Sequence, residues 1–190
     1  WHLWASSYGG RAANWMLFDN PGRIASVIFD SAVTRALQKP SDFAARWVAS
    51  MKQLFARACE GQSCSASSLE ADFWLAAENV QTHFSKNSRG NSSISKDVFA
   101  HWVFAQGLDE ASAKALPEFL ERFKSGEVHP DDMAQIEQFI SAKTAPANNP
   151  WVYYATLCGD LERQTQSEYQ AEVSKLGRWQ QFWQHHELID

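Results

Sequence analysis

The run Ala5-Ser6-Ser7-Tyr8-Gly9-Gly10 holds the residue pattern in this chain best suited to covalent chemistry. Small residues on both sides of Ser7 let a backbone fold tightly between a strand and a helix and project a hydroxyl from the turn. Ser7 is therefore the candidate nucleophile. The backbone N–H of Tyr8, at the start of the following helix, would face the oxygen that becomes negative in acyl transfer, where the helix dipole also favours an anion. Ala5 stands where glycine is usual, and its methyl group tightens the turn. A bare Ser-x-Gly arises often by chance, so an ordinary strand-to-helix turn is the competing reading, and the neighbouring elements must decide between the two.

Those elements are a strand, a helix and a second strand. His2-Leu3-Trp4-Ala5 is apolar and strand-like, Arg11 to Asp19 is helical and is ended by Asn20-Pro21-Gly22, and Ser26-Val27-Ile28-Phe29-Asp30 is a second strand. Their spacing is that of a parallel β-α-β crossover. From Ser41 onward apolar residues recur every three or four positions, predicting an amphipathic helix through Trp47, Met51 and Leu54. Further helices are expected at Ser68 to Phe84, Ser95 to Gln106, Asp109 to Lys124 with a division at Pro117, Pro130 to Ala142, and Ser167 to His185. Ser85 to Ser93 and Thr144 to Pro150 read as loops, and Trp151 to Leu157 as a short strand. The fold class is thus mainly α with a small β-α-β remnant, divided into a nucleophile-turn segment over 1–35 and a helical cap over 36–190.

Cys59 and Cys64 lie between two helical patterns at a spacing that allows a small disulfide loop, worth about 2 kcal/mol by loop entropy. Two reduced thiols at a helix end are the alternative. No second Cys pair or His pair stands at zinc-ligand spacing, and the adjacent His185 and His186 diverge on a helix, so no metal site is expected.

The nucleophile turn, the helix ending Asp-Asn-Pro-Gly-Arg-Ile and the strand Ser-Val-Ile-Phe-Asp-Ser-Ala together resemble the nucleophile region of prolyl and tripeptidyl aminopeptidase-like α/β-hydrolases. Cys59 and Cys64 resemble a paired-cysteine segment of the tripeptidyl group, and Ala155-Thr156-Leu157-Cys158-Gly159-Asp160 is similar to a segment near the end of its cap. The resemblance implies an α/β-hydrolase fold with a helical insertion, acting through a Ser-Asp-His triad on a peptide or ester substrate and needing no cofactor. Only Ser7 and Tyr8 carry over directly. The triad Asp and His of that family would fall after Asp190, and Trp1 to Ala5 reads as the end of a buried strand with no initiator Met before it, so the chain is expected to be an internal fragment, inactive alone. A second arrangement pairs Ser7 with Asp160 and His185 or His186, preserving the Ser, Asp, His order. A capped esterase or lipase-type hydrolase is a further variant.

An aminopeptidase must hold a cationic substrate terminus, for which a cap carboxylate is the physical means. Glu70, Asp72, Glu78, Asp160 and Glu162 are available, with Asp160 the first choice because it follows an apolar run. Trp74 and Trp102, in a cluster with Phe73 and Phe104, are candidates for lining a substrate pocket, against the ordinary reading as core.

Composition bounds the rest. Across 190 residues, 45% are hydrophobic and nine are Trp, which marks a globular chain. Seventeen basic against twenty-two acidic residues give a net charge of −5 with no basic stripe, which argues against nucleic acid as a partner. No apolar stretch is long enough for a membrane span. The cysteine pair and the resemblance favour a periplasmic or secreted location. A helical protein-interaction module with an inert serine turn is the non-enzymatic alternative. Two strands without sheet neighbours also make a homodimer plausible.

Overall fold

A computed structural model describes residues 1–30, 32, 39–87, 94–143 and 162–183. Strand β1 (His2–Ser6) leads through the serine turn into helix α1 (Gly9–Asp19). A short 3-10 turn at Pro21–Arg23 then reverses the chain into β2 (Ser26–Asp30), which runs parallel to β1 in the register His2 with Ser26 through Ser6 with Asp30. The expected β-α-β unit is present. Helix α1 lies against both strands, and Ala5 and Ala13 are buried in this unit. Side chains alternate across a strand, so register partners Trp4 and Ile28 point together to one face, where they are 76% and 63% exposed.

The remaining elements are helical: α2 (Pro40–Ala58), α3 (Ala66–Asn87), α4 (Lys96–Gln106), α5 (Glu110–Ser125), α6 (Pro130–Lys143) and α7 (Gln166–Ser174), then a 3-10 segment at Gly177–Phe182. Their starts follow ordinary capping chemistry. Ser95, Asp109 and Thr165 each accept a backbone N–H from three residues on, satisfying a donor the first turn leaves orphaned. Helix α5 ends at Gly126, whose φ of 80° is the left-handed cap a side chain would resist.

Helix α3 is the centre of the helical unit. Its residues Leu69, Phe73, Ala76, Ala77 and Val80 recur at three- and four-residue steps and are buried, as are Leu116, Leu120 and Phe123 on α5 facing them. The helical core runs from Ala44 to Trp183 and draws no member from residues 1–30. Its two ends are tied together, because the Ser41 N–H donates to Gln164 Oε1 at 3.1 Å and Gln164 Nε2 donates to Ser41 Oγ at 3.0 Å. The Arg122 guanidinium on α5 grips buried Asp132 on α6 through two hydrogen bonds of 3.1 and 2.9 Å.

Two expectations need correction. Pro117 does not divide α5, which runs unbroken from Glu110 to Ser125; the burial of Leu116, Phe119 and Leu120 around the proline offsets the backbone hydrogen bond it cannot donate. The expected helix from Ser167 to His185 is instead two pieces, because Gly177 adopts a φ of 62° and restarts the chain as a tighter 3-10 segment. The strand expected over Trp151 to Leu157 and the loop at Thr144 to Pro150 lie outside the described residues.

Cys59 and Cys64 are joined by a disulfide across the α2–α3 turn. Replacing both by alanine is expected to lower stability by about 2 kcal/mol, through loss of a constraint on the unfolded chain. Urea denaturation of the two proteins checks it, and the same drop should follow addition of a reductant to the wild type alone.

Tyr169 on α7 donates its hydroxyl to the Trp183 carbonyl at 3.1 Å from a buried position, and that burial pushes its pKa up to about 12. The folded state therefore holds the phenol proton more tightly than the unfolded chain, whose tyrosine titrates near 10.0. The corresponding stability is complete below that unfolded value and is lost as pH rises through the folded one, up to about 3 kcal/mol in all. Urea midpoints at about pH 9 and about pH 11.5 should converge for wild type and Tyr169→Phe as the wild type loses this term. Parallel declines would count against it.

Candidate functional site

Ser7 has a φ of 50° and is the only non-glycine in the left-handed region among the described residues. An L side chain in that region costs on the order of 1–3 kcal/mol and persists only where its surroundings enforce it. Here the enforcement is visible. The Ser7 N–H donates to the Asp30 carbonyl at the end of β2 at 3.0 Å, fixing the turn to the neighbouring strand. On the other side the Gly10 N–H donates to the Ser7 carbonyl at 3.1 Å and the Arg11 N–H to the Tyr8 carbonyl at 3.0 Å, which winds the chain directly into α1. Strand, strained serine and helix thus follow one another without a spacer.

The consequence is an exposed Ser7 side chain at the tip of the turn, with Ala5 and Gly10 buried on either side. Tyr8 occupies the N-cap of α1, which has no side-chain cap and no acidic residue in its first turn. The positive end of the helix dipole therefore meets no carboxylate of its own beside Ser7, an environment that favours negative charge on an oxygen placed there. Asp30 escaped the sequence reading as a partner of the turn. Its contribution is a main-chain carbonyl, which no side-chain pattern advertises.

The other candidates are placed differently. Trp74 and Trp102 are buried in the helical core, Trp74 against Phe73, Trp179 and Phe182, and Trp102 against Phe99 and Phe119, so both indoles are committed to packing. Trp179 Nε1 donates to Glu70 at 2.8 Å, Lys124 bonds Asp72 at 2.9 Å, and Arg178 pairs with Glu78 while lying over the Trp74 ring, which gives these carboxylates partners within the helical unit. Asp160, His185 and His186 lie outside the described residues. Two of the described histidines have other partners: His2 bonds Ser26 Oγ at 2.8 Å and His101 bonds the Asp97 carbonyl at 2.8 Å. No group of three or more His, Cys, Asp or Glu that could hold a metal is found among the described residues, and no described helix is long and apolar enough to cross a membrane.

No protein-family model, curated protein or solved structure matches this chain.

Proposed function

We propose that this chain carries the nucleophile of a serine hydrolase of the α/β-hydrolase type, with Ser7 as the attacking group and an aminopeptidase-like action on a peptide or a related ester. The observation that supports it is the left-handed backbone of Ser7 at a strand-to-helix junction inside a parallel β-α-β unit. An inert turn at this position would relax or carry glycine. A serine held there at a cost in folding energy is what a projected nucleophile requires.

In this reading the Ser7 Oγ adds to the carbonyl carbon while a histidine base takes its proton. The carbonyl oxygen becomes an oxyanion facing the Tyr8 end of α1, and collapse of the tetrahedral species breaks the C–N or C–O bond as the base returns the proton to the departing amine or alcohol. Water then hydrolyses the acyl-serine by the same steps in reverse order. Hydrolysis of this kind needs no cofactor. The histidine is one that the described residues do not bring to Ser7.

The test is turnover by the whole gene product of an activated ester and of a peptide with a free amino terminus. Turnover of either that disappears in Ser7→Ala supports acyl transfer, and preference for the free over the blocked terminus supports the aminopeptidase-like form. Turnover that survives the substitution refutes both. The helical unit has a core of its own, which favours a second reading as an interaction module. That reading requires Ser7→Ala to leave every measurable property of the protein unchanged.

A further inference from the structure

The glycine that matters for the serine turn is Gly10, and its partner is Ala32. A Cβ built on Gly10 would lie 3.0 Å from the Ala32 Cα and nearer still to its methyl carbon, whereas one built on Gly9 meets nothing within 4 Å. An alanine methyl has no rotamer by which to withdraw, so a side chain at position 10 must push the start of α1 and Ala32 apart. The hydrogen bond from the Ser7 N–H to the Asp30 carbonyl lies beside this contact, with Asp30, the last residue of β2, two residues before Ala32 and Ser7 three residues before Gly10. Separating them stretches that bond, and the left-handed Ser7 loses what holds it.

We infer that the Gly10–Ala32 contact is a latch that positions Ser7: the missing side chain at 10 lets the first turn of α1 seat against the exit of β2, and that seating keeps the serine in its strained, projecting conformation. Gly10 and Ala32 are positioning residues and touch no substrate. The consequence for activity rests on the hydrolase reading given above; the consequence for the Ser7 backbone does not.

The experiment follows the Ser7 amide by hydrogen exchange in the whole gene product, together with the rate of fluorophosphonate labelling, in wild type, Gly10→Ala, Ala32→Val and the double variant Gly10→Ala with Ala32→Gly. Ala32→Val crowds the contact from the opposite side and decides the matter should Gly10→Ala fail to fold. Loss of Ser7 amide protection in either crowded variant, with labelling slowed by about 100-fold as a displacement near 1 Å would produce, is expected. Recovery of at least about ten-fold of that loss in the double variant is expected too, because contacting residues couple. Unchanged protection of the Ser7 amide in the crowded variants overturns the latch. Protection that is lost while even the wild type fails to label supports the latch and refutes the hydrolase reading, so the two failures are told apart.

Discussion

Ser7→Ala is expected to abolish acyl transfer, with turnover falling by about a million-fold where the serine acts with its base as a unit. The reason is chemical: alanine supplies no oxygen to form the acyl intermediate, and the neighbouring Ser6 is on the strand side of the turn, where the chain is extended. Folding should not suffer. Ser7 is exposed and its backbone is strained, so removing the hydroxyl withdraws no contact from a core. Ser7→Gly makes the point more sharply, since glycine enters the left-handed region freely and is expected to stabilise the protein by about 1 kcal/mol while abolishing activity. Thermal or urea denaturation of the three proteins, beside their turnover, checks both halves. A Ser7→Gly protein that is less stable than wild type would contradict the strain assigned to this residue.

Phe73→Ala carries the largest expected effect on folding, about 3–5 kcal/mol. Phe73 is fully buried in α3, and its ring meets Trp74 at 5.1 Å, Trp179 at 5.3 Å, Phe55 at 5.6 Å and Phe99 at 6.1 Å between centroids. These partners come from α2, α3, α4 and the 3-10 segment, so the ring joins elements far apart in the chain. Its neighbours are themselves large and held by other contacts, which limits how far they can collapse into the space left behind. Against a typical total stability of about 5–15 kcal/mol, such a loss is a large share. Leu75 on the same helix is 48% exposed, and Leu75→Ala should shift stability by no more than about 0.5 kcal/mol. Urea midpoints for the two variants separate burial from helix propensity, since both exchange a residue for alanine within α3.

Much of this fold was legible in the residues. The β-α-β unit followed from two apolar runs around Asn20-Pro21-Gly22, and α2 through α6 from apolar residues at helical spacing, because burial of one face is what gives a helix its period. What was misread has physical causes. Pro117 was expected to break α5, yet local preference yielded to the packing of Leu116 and Leu120. Gly177 sits inside a helical pattern of apolar residues, and its left-handed φ of 62° breaks the helix that the pattern predicts. Trp74 and Trp102 as pocket candidates show a limit of composition: an indole on a helix face looks alike whether it meets substrate or another ring, and only their partners across α3, α4 and α5 reveal the packing. At the serine turn the pattern located Ser7 and Tyr8 but not the main-chain bond to Asp30 or the closeness of Ala32, since these depend on how β2 ends in space.

The most direct test of Ser7 as a nucleophile is fluorophosphonate labelling of the whole gene product, with the adduct located by peptide mass mapping in wild type and Ser7→Ala. A single adduct on Ser7 that is absent from the variant is the expected result. Wild-type protein that takes up no label, or takes it at another serine and keeps it in Ser7→Ala, would contradict the assignment.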